Sequence, residues 1–376
     1  MLRNAIISTA IQAAIQLGEY MKTQLVTGGA GFIGSAYVLQ ARARGARVIN
    51  LDKLTYSGNT KNLISLANDP EHIFIHGDIG NRELVRHLLR TYQPDAIVNF
   101  AAESHVDRSI LDPDIFIKTN VLGTGVLLKQ SLEFYQSLPS DKQKKFKLLH
   151  VSTDEVYGSL NEKEDAFTEE NAYRPNSPYS ASKASSDHLV RAFHETYGLP
   201  TLITNCSNNY GPRQFPEKLI PVIILKALQR ESLPVYGNGE NIRDWLHVED
   251  HCEAIACVLE KGAPGETYNI GGRAEYRNID VVKSICAILN ELVPHSDGPY
   301  EKLITYVNDR LGHDYRYAIN CTKIESQLGW KPRHTFIQGL RETIQWYLKN
   351  SAWINDVQSG YYLEYQQQNY HDRGEK

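Results

Sequence analysis

Tyr179-Ser180-Ala181-Ser182-Lys183 places a phenol four residues before a lysine. At the start of a helix, residues i and i+4 share one face. An ammonium beside a phenol favours the phenolate, whose unperturbed pKa is about 10. Such a tyrosine can take a proton from a sugar hydroxyl while hydride leaves the carbon, and the lysine can reach a nicotinamide ribose. A second cluster, Thr153-Asp154-Glu155, lies inside His150–Gly158. Neighbouring carboxyls repel, so one should hold its proton more strongly than the other, as paired acid and base require. Adjacent strand residues point to opposite faces. The reading therefore needs the strand to end near Ser152, so that Asp154 and Glu155 both turn into one cleft. Taken alone, the first pair would also suit an amphipathic helix, and the second a solvated loop.

A third set of residues suits an anion. The strand Gln24–Thr27 runs into Gly28-Gly29-Ala30-Gly31-Phe32-Ile33-Gly34 and then a helix. Gly28 permits a tight turn, Gly31 lets a pyrophosphate approach the backbone, and Gly34 allows close helix–sheet packing. The helix N-terminus favours the negative charge. The second strand ends in Leu51-Asp52. An acid there bonds the ribose 2′-hydroxyl and repels a 2′-phosphate, which selects NAD over NADP. Asp78, after the third strand, has two readings: a bond to an adenine amino group, or a plain helix N-cap. Asn208, Asn209, Lys218, Arg243 and Arg310 fall in irregular segments and suit a polar, anionic ligand.

These residues need a scaffold, and the pattern around them supplies one. Strand-length apolar runs occur at Gln24–Thr27, Arg47–Leu51, Ile73–His76, Ala96–Phe100, Lys147–Ser152 and Thr201–Thr204. Helical periods lie between them at Gly34–Arg44, Asn81–Thr91, Asp114–Phe134 and Tyr179–Tyr197. Short apolar strands separated by helices imply a doubly wound α/β fold with a parallel sheet covered on both faces. Beyond Thr204 the regularity breaks at Pro212, Pro216, Pro221, Pro234 and the Gly237–Gly239 turn, as expected of a smaller mixed α/β lobe over the strand ends. Lys323–Asn350 reads as helical, with a break at Gly329–Pro332. The expected division is an N-terminal extension over 1–20, a cofactor domain of 21–205 plus about 243–272, a substrate lobe of about 206–242 plus 273–350, and a tail over 351–376. The extension reads as an accessory helix or upstream segment, with Met21 as an alternative start; it is too polar for a good secretory signal.

The composition excludes several classes. The chain has 376 residues, 41% hydrophobic and 22% charged, which fits globular domains and not disorder. A net charge of −4 gives no basic field for nucleic acid or anionic lipid. No apolar run approaches the ~18 residues of a membrane span. The five cysteines (206, 252, 257, 286 and 321) are odd in number and lack C-x-x-C spacing. Reduced thiols in a cytoplasmic protein therefore fit better than disulfides or a structural zinc site, and no metal is expected.

With these motifs assembled, the sequence resembles the extended short-chain dehydrogenase/reductases and, within them, the dTDP-glucose 4,6-dehydratases. The likeness runs from about Met21 into the C-terminal region. It rests on TGGAGFIGS (27–35), LDKLTYSGN (51–59), AAESHVDRSI (101–110), HVSTDEVYG (150–158), SPYSASKASSDHLVRA (177–192), NCSNNYGP (205–212), FPEKLIP (215–221), IRDWLHVEDH (242–251) and RLGHDYRY (310–317). It implies a Rossmann domain binding NAD and a hydro-lyase reaction on a nucleotide sugar. Thr153 would orient the glucosyl O4, Tyr179 act as its base with Lys183 beside it, Asp154 serve as acid at the C6 oxygen, and Glu155 remove the C5 proton. Phe32, Ile33, Asp52, Lys53, Leu54, Thr55, Ser57, Asp78, Ile79, Ala101, Ser104, Thr119, Tyr179, Lys183 and Asn209 would contact NAD. Ser104, Asn208, Glu217, Lys218, Leu219, Pro234, Tyr236, Arg243, Asn278, Arg310, His313 and Tyr370 would line the sugar-nucleotide site. The resemblance also implies a homodimer through a four-helix bundle of the 114–134 and 179–197 helices, and a place in deoxysugar synthesis, with rhamnose and polysaccharide as the usual destination. Arg310-Leu311-Gly312 stands where the family usually has Arg-Pro-Gly, the N-terminal extension has no family counterpart, and the 157–177 stretch is shorter than in some members. Same-fold alternatives are a dehydratase of UDP- or GDP-sugars and a nucleotide-sugar 4-epimerase; an NAD-sensing protein without turnover is an alternative of another class.

Overall fold

The computed structural model describes residues 22–309 and 312–358. The accessory helix read over the first twenty residues, Arg310, Tyr370 and the end of the tail therefore lie outside the described residues. Twelve strands are described: β1 (Thr23–Thr27), β2 (Arg47–Asp52), β3 (His72–His76), β4 (Ala96–Asn99), β5 (Lys147–Thr153), β6 (Thr201–Cys206), β7 (Asn208–Tyr210), β8 (Leu233–Tyr236), β9 (Ile242–His247), β10 (Thr267–Ile270), β11 (Glu275–Arg277) and β12 (Ile304–Val307). Seven of them form one parallel sheet in the order β10-β6-β5-β4-β1-β2-β3.

Why these runs make a buried parallel sheet is visible in their side chains. Leu25, Ile49, Ile97 and Leu148 pack into one apolar layer, while their neighbours Val26, Val48, Val98 and Leu149 pack into the opposite one. Successive residues alternate faces, and both faces are covered, so the strands read as continuous apolar runs. The order also reverses between β1 and β4: β1 pairs with both β2 and β4, Gln24 lying opposite Val48 on one side and Ala96 on the other. A ligand crevice opens beyond the carboxyl ends of two strands at such a reversal.

The remaining strands build the smaller lobe: a β11-β9-β7 sheet and a β12-β8 pair. Tyr210, Ile223, Trp245, Ile285, Phe336 and Tyr347 belong to its separate core. The boundary expected at about 243 falls inside β9, which pairs with β7 and β11; the chain rejoins the large layer through the Val248–Lys261 helix and β10. The break read at Gly329–Pro332 separates helices Thr322–Leu328 and Phe336–Lys349.

One expected helix is not continuous. The 114–134 period resolves into Pro113–Phe116, a wide π-helical turn over Ile117–Gly123, and Thr124–Ser137. Gly123 sits where a Cβ would come within 3.1 Å of Ile79. Asn120, inside the turn, donates to the Ser182 hydroxyl at 2.8 Å and to the Glu103 carbonyl at 3.0 Å. The extra residue per turn thus serves tertiary contacts that periodicity does not register.

The C-terminal helix is tied to the large layer by Asp250. Its carboxylate accepts from Arg333 N (3.0 Å), His334 N (2.9 Å) and His334 Nδ1 (2.9 Å). Burial alone would raise the Asp250 pKa, but His334 and these amides bring it below the usual value, while the bond to Asp250 raises that of His334. Asp250→Ala leaves two backbone donors without this acceptor and should cost about 2–3 kcal/mol in urea unfolding. The charged pair also has a sign in pH. The His334 contribution is complete below about pH 6.5 and is lost as pH rises through its higher folded value. Stability measured across that window should fall for the wild type and flatten for Asp250→Ala.

Candidate functional site

A cleft of about 430 Å³ runs from the β1 turn to the smaller lobe. At its floor the glycine turn behaves as its spacing predicts. Gly28 has φ +71°, and a Cβ there would lie 2.7 Å from Ala101 N, so the β1 and β4 loops meet only without a side chain. A Cβ on Gly34 would lie 2.1 Å from the Gly28 carbonyl oxygen, whereas on Gly31 it would meet only that oxygen, at 3.4 Å. The Phe32–Ala43 helix starts here without a side-chain cap, which leaves its first amides available to an anion. These features fit the diphosphate of a dinucleotide.

Asp52 closes the same floor. Its two oxygens accept from Ala30 N and Leu54 N, each at 2.8 Å. Burial raises its pKa, with those amides opposing. Leu54 has φ +52° and does not line the cleft; its amide, not its side chain, is what the site uses. Asp78 forms an ion pair with Lys53 at 2.8 Å and accepts from Gly80 N at 2.7 Å. Burial works against its ionisation, but Lys53 and Gly80 hold its pKa below the usual range. The N-cap reading of Asp78 is corrected: Asn81 caps the Arg82–Tyr92 helix, accepting from Leu84 N.

The reacting groups converge from β5 and one helix. The Pro178–Tyr197 helix opens with a Ser177–Ser180 capping box and Pro178 in its first turn. These fix the start of the helix, so Tyr179 lies in its first turn and Lys183 one turn further. Thr153 ends β5, and its hydroxyl oxygen accepts from Glu155 N at 3.3 Å. Thr153, Glu155, Tyr179 and Lys183 all line the cleft.

Two expectations need correction here. Asp154 does not line the cleft beside Glu155; it is buried, its Oδ1 3.4 Å from the Thr153 hydroxyl, and among the described residues its Oδ2 has no hydrogen-bond partner. The cause is the short 3₁₀ turn over Asp154–Tyr157. Three residues per turn rotate neighbours by about 120°, so adjacent acids cannot share a direction. Burial, then Glu155 and Asp244, push the Asp154 pKa well up. Secondly, the Tyr179 pKa is raised, not lowered: burial acts first, then the charges of Glu155 and Cys206, against a bond to Thr153. The Lys183 ammonium donates to the Val151 carbonyl at 2.8 Å.

The far wall comes from the smaller lobe. Arg243 donates to the Asp314 carbonyl (2.9 Å), the Ile242 carbonyl (2.7 Å) and the Tyr315 carbonyl (3.3 Å), and lies over the Tyr317 ring. Glu217 accepts from the Tyr56 hydroxyl at 3.0 Å, and burial pushes its pKa up to about 7. Lys218 donates to the Ser104 carbonyl at 3.2 Å, and His313 pairs with Asp309 at 2.6 Å. Phe32, Ile33, Thr55, Ser57, Ile79, Ala101, Thr119, Asn208, Asn209, Leu219, Pro234, Tyr236 and Asn278, all expected at the site, also line the cleft.

The cleft also holds His105, Gln214, Phe215, Trp245, Asp314 and Tyr317, which were not singled out in the sequence. His105 lay inside the AAESHVDRSI stretch, Phe215 inside FPEKLIP, Trp245 inside IRDWLHVEDH, and Asp314 and Tyr317 inside RLGHDYRY, which were the available signals; Gln214 lies outside them. Away from the cleft, His247, His334 and Glu342 bring ligand-type atoms within 4.8 Å of one another. The two rings are tilted by 31° with centroids 4.0 Å apart, and His334 Nδ1 is already engaged by Asp250 at 2.9 Å. Among the described residues all five cysteines are free thiols.

Gly34→Val should force the Gly28 carbonyl away and abolish dinucleotide binding while leaving the sheet folded. Calorimetry with NAD, alongside circular dichroism, reads both; tight binding by a folded variant would contradict this assignment of the turn.

Comparison with known proteins agrees with this geometry. The family described as GDP-mannose 4,6 dehydratase matches residues 25–343. A dTDP-glucose 4,6-dehydratase of Xanthomonas campestris pv. campestris is 60% identical over 343 residues, covering 91% of this chain and 97% of the relative. The dTDP-glucose 4,6-dehydratase 1 of Escherichia coli K12 is 53% identical, covering 93% and 99%. The dTDP-glucose 4,6-dehydratase of Streptomyces venezuelae, solved with NAD and TYD bound, is 45% identical with a TM-score of 0.81, covering 89% of this chain and 99% of that one. With such likeness along nearly its whole described length, the chain belongs to the dTDP-glucose 4,6-dehydratases of the extended short-chain dehydrogenase/reductase family.

Proposed function

We propose that this protein converts dTDP-glucose to dTDP-4-keto-6-deoxyglucose and water, with NAD as a recycled cofactor. The observation that carries the reading is that Glu155, Tyr179 and Lys183 line the same cleft as the glycine turn. That places a carboxylate and a phenol within one cavity able to hold a dinucleotide and a hexose. NAD bound there supplies a hydride acceptor for C4, a hydride donor for C6 and, when oxidised, a positive charge that favours the Tyr179 phenolate.

The residues divide the work as follows. The 28–34 turn holds the diphosphate. Asp52 and the Leu54 amide stand at the ribose, with Phe32, Ile33, Lys53, Thr55, Ser57, Asp78, Ile79, Ala101, Ser104, Thr119 and Asn209 around the cofactor. Thr153 orients O4, and Tyr179 takes the O4 proton. Once C4 is a carbonyl, the neighbouring C5 hydrogen is acidic, and Glu155 removes it. Asp154, whose pKa is raised chiefly by burial, is assigned as the acid at the leaving C6 oxygen. Asn208, Glu217, Lys218, Leu219, Pro234, Tyr236, Arg243, Asn278 and His313 hold the sugar nucleotide, with the cations facing its diphosphate.

Three finer readings belong to the same proposal. The enzyme acts in the cytoplasm, consistent with free thiols; no described helix is long and apolar enough to cross a membrane. It works as a homodimer through the 114–134 and 179–197 helices, which is supported by exposed Ile117 and Leu122 on the first of them. Its product feeds deoxysugar synthesis, with rhamnose and polysaccharide as the destination. The region of 21–205 plus about 243–272 would hold the cofactor, and the region of about 206–242 plus 273–350 the sugar nucleotide.

The test is an incubation of purified protein with dTDP-glucose and no added NAD, analysed by mass spectrometry. A product lighter by one water is expected, with UDP- and GDP-glucose turned over poorly; an epimer without loss of water would exclude the proposal. In D₂O the product should carry deuterium at C5. Glu155→Gln should lower turnover by about 10²–10⁴-fold and abolish that incorporation. Persistent C5 exchange would remove Glu155 from its role.

A further inference from the structure

Behind Lys183 lies a set of buried polar groups that the reaction above does not use. His150 on β5 and Ser186 and Asp187 on the Pro178–Tyr197 helix are each no more than 2% exposed. His150 Nε2 lies 3.3 Å from Lys183 Nζ, 3.2 Å from Ser186 Oγ and 3.4 Å from Asp187 Oδ1. Asp187 Oδ2 accepts from the Ser152 hydroxyl at 2.7 Å and from Asn205 Nδ2 at 3.4 Å. Lys183 and Asp187 are four residues apart on one helix face, the spacing of an intrahelical ion pair. Among the described residues no such direct pair joins them; the imidazole lies between.

The hydrogen bonds fix which way that imidazole faces. The Ser186 hydroxyl donates its proton to the Lys183 carbonyl at 2.7 Å, so towards His150 it can only accept. On the other side, Thr27 donates to Asn99 Oδ1 at 2.5 Å, which turns Asn99 Nδ2 towards His150 Nδ1 at 2.9 Å. Both constraints give one tautomer: Nδ1 accepts and Nε2 carries the hydrogen. An Nε2–H group cannot accept from the Lys183 ammonium. It repels that ammonium, which is held instead by the Val151 carbonyl at 2.8 Å and lines the cleft.

We propose that His150 and Asp187 are a buried positioning pair for Lys183: the neutral imidazole blocks a direct lysine–aspartate contact, and the carboxylate supplies the countercharge that keeps the ammonium charged and aimed into the cleft. The inference rests on the proposed part of Lys183 at the nicotinamide ribose. The charged and titratable groups facing this ammonium are Asp187 on its own helix, His150 on β5 and Cys206 on β6; Tyr179 lies one turn away. Burial works against the charge on Lys183, while Asp187 and Cys206 support it. Burial also keeps His150 neutral, with Lys183 adding to the effect. Asp187 is pushed by burial up to about 6 despite Lys183, Ser152, Tyr173 and Asn205.

Asp187→Asn keeps the shape and the acceptor for Ser152 but removes the charge. Two profiles are measured against pH on the intact protein: kcat/KM with dTDP-glucose, and NAD affinity by calorimetry, which needs no turnover. In a variant whose circular dichroism and melting temperature match the wild type, the alkaline limb of both profiles should move to lower pH by about one unit, a tenfold change in proton affinity. Asp187→Glu should restore part of it. An unmoved limb, or an equal loss at every pH, would overturn the proposal. Should Asp187→Asn fail to fold, Ser152→Ala leaves the carboxyl but removes its shortest bond. The acid limb of NAD affinity should then rise in pH, and an unchanged acid limb would count against the pair. Absence of dTDP-glucose turnover in the wild type would defeat the proposed reaction alone, since the NAD profiles still report on Lys183.

Discussion

The arrangement of this protein depends on one packing contact, between the Pro178–Tyr197 helix and the ends of β5 and β6. The helix lies against both strands, and its buried face carries Tyr179, Ser182, Lys183, Ser186 and Asp187. A polar face pressed onto a sheet is costly unless each group finds a partner. Here β5 supplies the Val151 carbonyl and Ser152, β6 supplies Asn205, and the turn after β4 is reached through Asn120. Those bonds set the depth and rotation of the helix. They thereby set the spacing between the phenol on the helix and the carboxylate on the turn after β5.

The same burial governs the electrostatics. Asp154, Asp187, Glu217 and Asp244 are all held above their ordinary pKa, with loss of water as the leading cause in each. Groups given both a cationic partner and backbone amides, such as Asp78 beside Lys53 and Asp250 beside His334, fall below it. Burial also leads in raising the Tyr179 pKa, so a cationic ligand entering the cleft would favour proton loss from that phenol. The smaller lobe contributes Arg243 and Lys218, whose donors are held by backbone carbonyls, so these cations keep fixed positions at the cleft.

Much of this was legible in order along the chain. Alternating strands and helices, the Gly28–Gly34 turn and Asp52 at the end of β2 are local patterns with local causes: period, turn sterics and the reach of a carboxylate to nearby amides. The wide turn at Ile117–Gly123 was not legible, because nothing in a helical period marks the residue at which Asn120 must reach Glu103 and Ser182. Nor was the separation of Asp154 from Glu155. A sequence shows two adjacent acids, but the hand of the 3₁₀ turn decides that one faces the cleft and the other the interior. Leu54 shows a milder form of the same limit, since an amide donor leaves no trace in the identity of its residue.

The sequence by itself determined the parallel sheet, the dinucleotide turn and the pairing of Tyr179 with Lys183, since each depends on neighbours within a few residues. Only the tertiary structure decided what surrounds them: that Lys183 bonds a strand carbonyl instead of the phenol, that His150 stands between it and Asp187, and that Arg243 crosses from the smaller lobe to the same cleft. Those are contacts between segments far apart in the chain. Their energies depend on desolvation and on distances that no local pattern encodes.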